Sequence, residues 1–109
     1  MGIRMKSTRV RATDIQQGVK RAVYERDNGI CVVCGKAGFP NAHYLSRQRG
    51  GMGIEENIVT LCMDCHYAYD FGGVYKHEAY KEIIRDYLKR QYPDWDEEKL
   101  KYRKWSDIS

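Results

Sequence analysis

No stretch of this sequence approaches the ~18 consecutive apolar residues that a membrane-spanning helix requires. The opening MGIRMKSTRVRAT has no apolar segment of the kind that marks a secretory signal. Internal repeats and low-complexity tracts are also missing, and histidine is scarce, with three in the chain. These absences imply a protein kept in a reducing cytoplasm, where cysteines serve as metal ligands more readily than as disulfides. The 109 residues suffice for one small domain. With 42% apolar and 31% charged residues and a mean hydropathy of −0.72, the core is modest, so a staple such as a bound metal is expected.

The formal net charge of +4 is unevenly spread. Residues 1–26 carry seven Lys and Arg against Asp14 and Glu25, a net of +5, and the remainder is at −1. Such an asymmetry suits a polyanion partner, and equally a solvated basic tail.

What the chain does have is a pair of matched knuckles. Cys31-x-x-Cys34 and Cys62-x-x-Cys65 enclose 27 residues. Each can place two thiolates on one ion, and four thiolates make a closed, structural zinc site with no position open to water. A thioredoxin-like pair would need a single CxxC at a helix start, so the doubled spacing argues against redox chemistry and favours zinc over an iron–sulfur cluster.

The pattern along the chain predicts an α+β domain. Residues 1–12 show no period and read as a basic arm. Thr13 or Asp14 can cap a helix to about Arg26, with Ile15, Val19, Ala22 and Val23 on one face. Asp27-Asn28-Gly29 is a turn, and Ile30–Gly35 reads as a strand entering the first knuckle. Ala42–Leu45 and Ile58–Leu61 are strands of a hairpin joined by a glycine-rich loop. A short helix from Met63 or Asp64 carries His66 and Asp70 and breaks at Gly72-Gly73. Lys76–Gln91 is the clearest helix, with Tyr80, Ile83, Ile84, Tyr87 and Leu88 in one stripe. Asp94 and Glu97 form a capping pair for a last short helix to Tyr102, and Trp95 and Trp105 pin the tail. The implied organisation is an arm (1–12), a core with the cysteine site (13–75) and a helical extension packed on it (76–109).

His43 lies on the first hairpin strand. His66 follows the fourth cysteine directly, so the knuckle fixes its direction. Asp70, four residues on, shares its helical face, and an imidazole and a carboxylate so spaced can bind one divalent cation or simply pair with each other.

Together the segments VYERDNGICVVCG, AHYLSRQRGG and GIEENIVTLCMDCH, within residues 23–71, resemble the HNH endonuclease family, in which a ββα-metal (His-Me) finger is embedded in a four-cysteine zinc ribbon. The chain is most similar to small phage-type members, down to YPDWDEEKLKYRKW near its end. The resemblance implies a metal-dependent endonuclease that hydrolyses DNA phosphodiester bonds to 5′-phosphate and 3′-hydroxyl ends. His43 would be the general base. Asn57 would orient it or brace the loop. His66 and Asp70 would hold a catalytic divalent ion such as Mg²⁺ or Mn²⁺, apart from the structural zinc of Cys31, Cys34, Cys62 and Cys65. The implied partners are DNA and a phage packaging or terminase component, in the host-cell cytoplasm.

One position departs from the family pattern. Many members place Asp or His immediately before the base as a metal ligand, and here that residue is Ala42. Water, the substrate phosphate, Asn57 or Glu56 would have to fill the gap, or His43 is itself a ligand. His77 falls beyond the glycine break and reads as helix surface. Arg47 and Arg49 can clamp phosphates, with Gly50, Gly51 and Gly53 letting the backbone approach the nucleic acid, or belong to a flexible basic loop. The rival from another class is a non-catalytic zinc-ribbon module that binds DNA or protein. It would need the cysteines and the arm, but neither His43 nor His66.

Overall fold

The computed structural model describes residues 7–103. It is an α+β protein in which a small antiparallel sheet is flanked by helices. Helix α1 spans Thr8–Thr13 and α2 Gln17–Asp27; strand β1 is Phe39–His43 and β2 Ile58–Leu61; α3 is Met63–Phe71 and α4 Val74–Gln91. Short 3₁₀ turns occur at Arg47–Arg49, Glu55–Asn57 and Glu97–Leu100. No helix among the described residues is long and apolar enough to cross a membrane.

The N-terminal region differs from expectation. Part of the expected arm is helical: the Ser7 hydroxyl accepts from Val10 N at 3.2 Å and starts α1. Thr13 cannot cap the next helix, because its hydroxyl is turned back onto the carbonyls of Arg9 and Val10. Helix α2 therefore begins later, after Gln16, and Ile15 lies outside it. Residues 1–6 of the arm and Trp105 lie outside the described residues.

The expected strand at Ile30–Gly35 is a closed knuckle instead. Ile30 bridges Ala37, Cys31 N donates to Lys36 O at 2.6 Å, and Gly35 takes φ +81°, which reverses the chain. Strand β1 starts and ends earlier than the expected Ala42–Leu45. It pairs with β2 in the register Ala42↔Val59 and His43↔Ile58, with a bulge between Phe39 and Ala42. The bulge accommodates Pro40, which has no N–H to offer a ladder. The final turn is capped by Asp96 rather than Asp94, through Glu98 N at 3.0 Å.

One core joins all of this. Ala42, Val59, Leu61, Cys31, Cys62, Cys65, Tyr69, Ile84, Leu88 and Leu100 form a single buried cluster, so the C-terminal segment shares the interior of the hairpin. Burying the larger aliphatic side chains among them supplies roughly 1.5–3 kcal/mol each. Of the expected α4 stripe, Ile84 and Leu88 are buried, Tyr80 and Tyr87 pack at the margin, and Ile83 turns to solvent.

A polar tie runs beside the core. Arg26 donates to the carbonyls of Ile58 (2.7 Å) and Glu55 (2.8 Å), to the Tyr92 hydroxyl (3.0 Å) and to Asp27 (2.8 Å). Asp27 also accepts from Thr60 N at 2.9 Å and from the Tyr87 hydroxyl. Burial, and then the bond to Asp27, pushes the Tyr87 phenol up to about 12. α2, β2 and α4 are thus locked together by charges whose partners are all supplied, the condition under which a buried pair is tolerated.

Candidate functional site

The four cysteines converge, and their sulfurs all lie within 4.8 Å of one another. None is in a disulfide. Four ligands on a tetrahedron with bonds of ~2.3 Å sit about 3.8 Å apart, so the cluster fits a thiolate-bound zinc ion. Cys34 Sγ and Cys62 Sγ are 3.5 Å apart. Cys31, Cys62 and Cys65 are buried and Cys34 is exposed. The thiols do not titrate alike. Burial raises Cys31, but backbone amides, Cys34 first and then Cys62 and Val33, outweigh it and bring the group to about 7. Burial and the neighbouring sulfurs hold Cys65 up. Cys62 has a second role: its Sγ accepts from Cys65 N at 3.4 Å, making it the N-cap of α3.

Helix α3 therefore leaves the cluster in a fixed direction, with His66 on its first turn. His66 Nε2 lies 3.2 Å from Asp70 Oδ2, and both side chains are partly exposed. Two adjacent ligands of an octahedral ion at ~2.1 Å sit about 3 Å apart, so the pair fits one edge of such a site. Among the described residues, only the cysteines form a group of three or more side chains poised around one point. Any ion held by His66 and Asp70 would need its other ligands from solvent or substrate.

His43 faces the same region. It lies with His66 and Asp70 along one open cleft of about 1390 Å³, whose walls include Lys20, Asn41, Arg47, Arg49, Phe71 and His77. His43 Nε2 is 2.9 Å from Thr13 O. A carbonyl only accepts, so Nε2 carries the proton and Nδ1 holds the lone pair. Burial lowers the basicity of this imidazole, as do the nearby Arg47 guanidinium and His66 ring, against the Thr13 carbonyl and Asp70. The result is a half-buried, neutral, oriented ring.

The segment carrying Thr13 is pinned from both sides. Gly53 N donates to Ala12 O at 2.9 Å, Arg9 reaches Gln48 O at 2.7 Å, and Arg47 pairs with Asp14 at 2.5 Å. A β-carbon on Gly53 would lie 2.0 Å from Asp14 O, and one on Gly51 would lie 1.7 Å from Leu45 O. These two glycines serve close approach within the protein rather than to a ligand. The segment between the strands is thus a wall built by contacts within the protein.

Asn57 organises that wall from inside. It is fully buried, its Oδ1 accepts from Leu45 N at 2.8 Å, and its Nδ2 donates to Leu45 O (3.1 Å) and Met52 O (2.9 Å). These are bracing bonds; Asn57 is absent from the cleft lining, and so is Glu56. Neither reaches the place left by Ala42, which is itself fully buried in the core. Arg49 is an exposed part of the cleft wall.

His77, expected on a helix surface, lies on α4 and is partly exposed. It lines the cleft, donates from Nδ1 to Tyr69 O at 2.9 Å, and stacks on the Tyr69 ring at 4.5 Å. Its position depends on the fold-back at Gly73 (φ +97°), which carries α4 back alongside α3. The Gly72-Gly73 dipeptide was the available signal.

Compared with family models and with curated proteins, the chain matches none.

Proposed function

We propose that this chain is a metal-dependent nuclease of the HNH type, a ββα-metal finger stapled by a four-thiolate zinc site, that hydrolyses phosphodiester bonds in DNA. One observation carries the reading: a neutral histidine, fixed by a backbone carbonyl, shares a cleft with a His–Asp pair on a helix whose start is set by the cysteine cluster. His43 would take a proton from water at Nδ1, since Nε2 is committed to Thr13, and the resulting hydroxide would attack phosphorus. His66 and Asp70 would hold a divalent cation, which when bound supplies positive charge for the phosphate and the departing 3′ oxygen. Arg49 and Lys20 would meet flanking phosphates, and Asn57 would keep the Leu45–Met52 wall in place behind His43. The resemblance to small phage-type members extends the reading to a phage packaging partner.

A plasmid-nicking assay with Mg²⁺ or Mn²⁺, comparing wild type with His43→Ala, tests this. Cleavage that disappears in the variant, with zinc content and fold unchanged, supports the enzyme. DNA binding without cleavage under any divalent ion supports the rival, a zinc-ribbon binding module. That rival is favoured by the cysteines being the one preformed metal cluster among the described residues.

A further inference from the structure

Helix α3 presents three rows of side chains. Cys65 and Tyr69 point into the core, and His66 and Asp70 face the cleft. The third row, Met63, Tyr67 and Phe71, is apolar and exposed, at 74%, 68% and 72%. Tyr67 and Phe71 touch, with ring centroids 5.3 Å apart. Beyond the joint, Val74 and Tyr75 are exposed as well. A protein with a core this small gains nothing in stability from aromatic rings left in water, and a contiguous exposed apolar patch usually marks a binding surface.

Its location says what it would bind. Phe71 and Val74 are themselves part of the cleft wall, while Lys20 and Arg49 stand elsewhere around the same cleft and Arg47 there is paired with Asp14. Basic groups along a groove with aromatic rings at its edge are the arrangement that holds a single nucleic-acid strand: cations track the phosphates and rings take the faces of the bases. A base pair inside a duplex hides its faces in the stack and offers only its edges. The aromatic row therefore has no partner in intact duplex and has one wherever bases are unpaired.

Resting on the nuclease reading above, we infer that the preferred substrate is DNA with unpaired bases beside the scissile phosphate, and that Phe71 with Tyr67 is the stacking platform that selects it. The platform lies on the helix that carries His66 and Asp70, one residue on from each. A base stacked there brings the adjoining phosphate to the His66–Asp70 row.

The test measures fluorescence anisotropy of a labelled mixed-sequence single strand and of a blunt duplex of two annealed strands, without added divalent ion, on wild type, Phe71→Ala, Tyr67→Ala and Phe71→Trp. Both positions are exposed, so the fold is expected to survive; a thermal melt verifies it. Wild type should prefer the single strand. The alanine variants should lose single-strand affinity by roughly 5- to 150-fold per base stacked, with duplex affinity unchanged and Phe71→Trp restoring the loss. Equal affinity for the two DNAs, with no effect of the variants, overturns the inference and leaves the nicking assay to decide the nuclease reading. Self-association lost in the alanine variants, with DNA binding intact, assigns the patch to protein contact and also overturns it. No binding of either DNA sinks both.

Discussion

The ring of His43 is held by the main-chain carbonyl of Thr13, 30 residues earlier, at 2.9 Å from Nε2. The contact selects the tautomer, and backbone supplies it, so no side-chain substitution at Thr13 removes it directly. On the proposed nuclease reading, replacing His43 by Ala should lower the cleavage rate by about 10²- to 10⁴-fold, the usual contribution of a general base. His43→Gln should be as inactive. Both should melt near the wild-type temperature, which separates lost chemistry from lost fold.

The same ring sets a pH dependence. Burial, then the Arg47 guanidinium and the neighbouring His66, lower its basicity below the ordinary value of 6.5. The unfolded chain therefore takes up this proton more readily than the folded one. Between the lowered value and 6.5, this group makes stability rise with pH. Because a base must be neutral, the acid limb of kcat/KM should fall below pH 6.5 rather than at it. A pH–rate profile compared with that of Arg47→Gln checks this: removing a nearby positive charge should move the limb upward.

Loss of the ion implied by the cysteines should be more damaging than loss of any histidine. Zinc binding to such sites is worth on the order of 10–16 kcal/mol near neutral pH, more than a small domain's whole stability. Metal analysis should return one zinc per chain. Cys65→Ser or a strong chelator should abolish cooperative unfolding, followed by circular dichroism.

Asn57 makes a sharper prediction. Its removal leaves Leu45 N, Leu45 O and Met52 O without these partners in a partly buried setting, at up to about 1–3 kcal/mol for each unmet group. Asn57→Ala should therefore cost roughly 3 kcal/mol or more in urea unfolding. Asn57→Asp should be worse, since it points carboxylate oxygens at two carbonyls. Hydrogen exchange should show the loosening at residues 45–52 first.

Two glycines should respond in opposite directions. Gly51→Ala would put its β-carbon 1.7 Å from Leu45 O and should prevent the native loop from closing. Gly18, in the first turn of α2, has nothing within 4 Å, so Gly18→Ala should raise stability by about 0.5 kcal/mol. Thermal melts of the two variants give the comparison.

Much of this was legible in the sequence where the cause is local. Ile58–Leu61 declares itself by its β-branched run, and α3 by the knuckle before it and the glycines after it. The cysteine spacing announced the cluster. What failed depended on distant partners. The six-residue α1 is too short to show a period, and it is held by contacts with a loop some 39 residues away. Thr13 reads as a cap until α1 is known to occupy its hydroxyl. Asp27 reads as a turn residue, yet its carboxylate meets Tyr87, 60 positions on. The inward use of Gly51 and Gly53, and the return of His77 to the cleft, likewise require the fold.

Leu61 ends β2, Cys62 is the cap and Met63 opens α3, so sheet passes to helix with no slack. Each residue of an α-helix turns the direction of projection by about 100°. One residue gained or lost between Cys62 and His66 would swing the His66–Asp70 edge out of register with the thiolates. Relatives of this chain should therefore vary here by substitution alone, and differences in length should collect on the far side of the molecule.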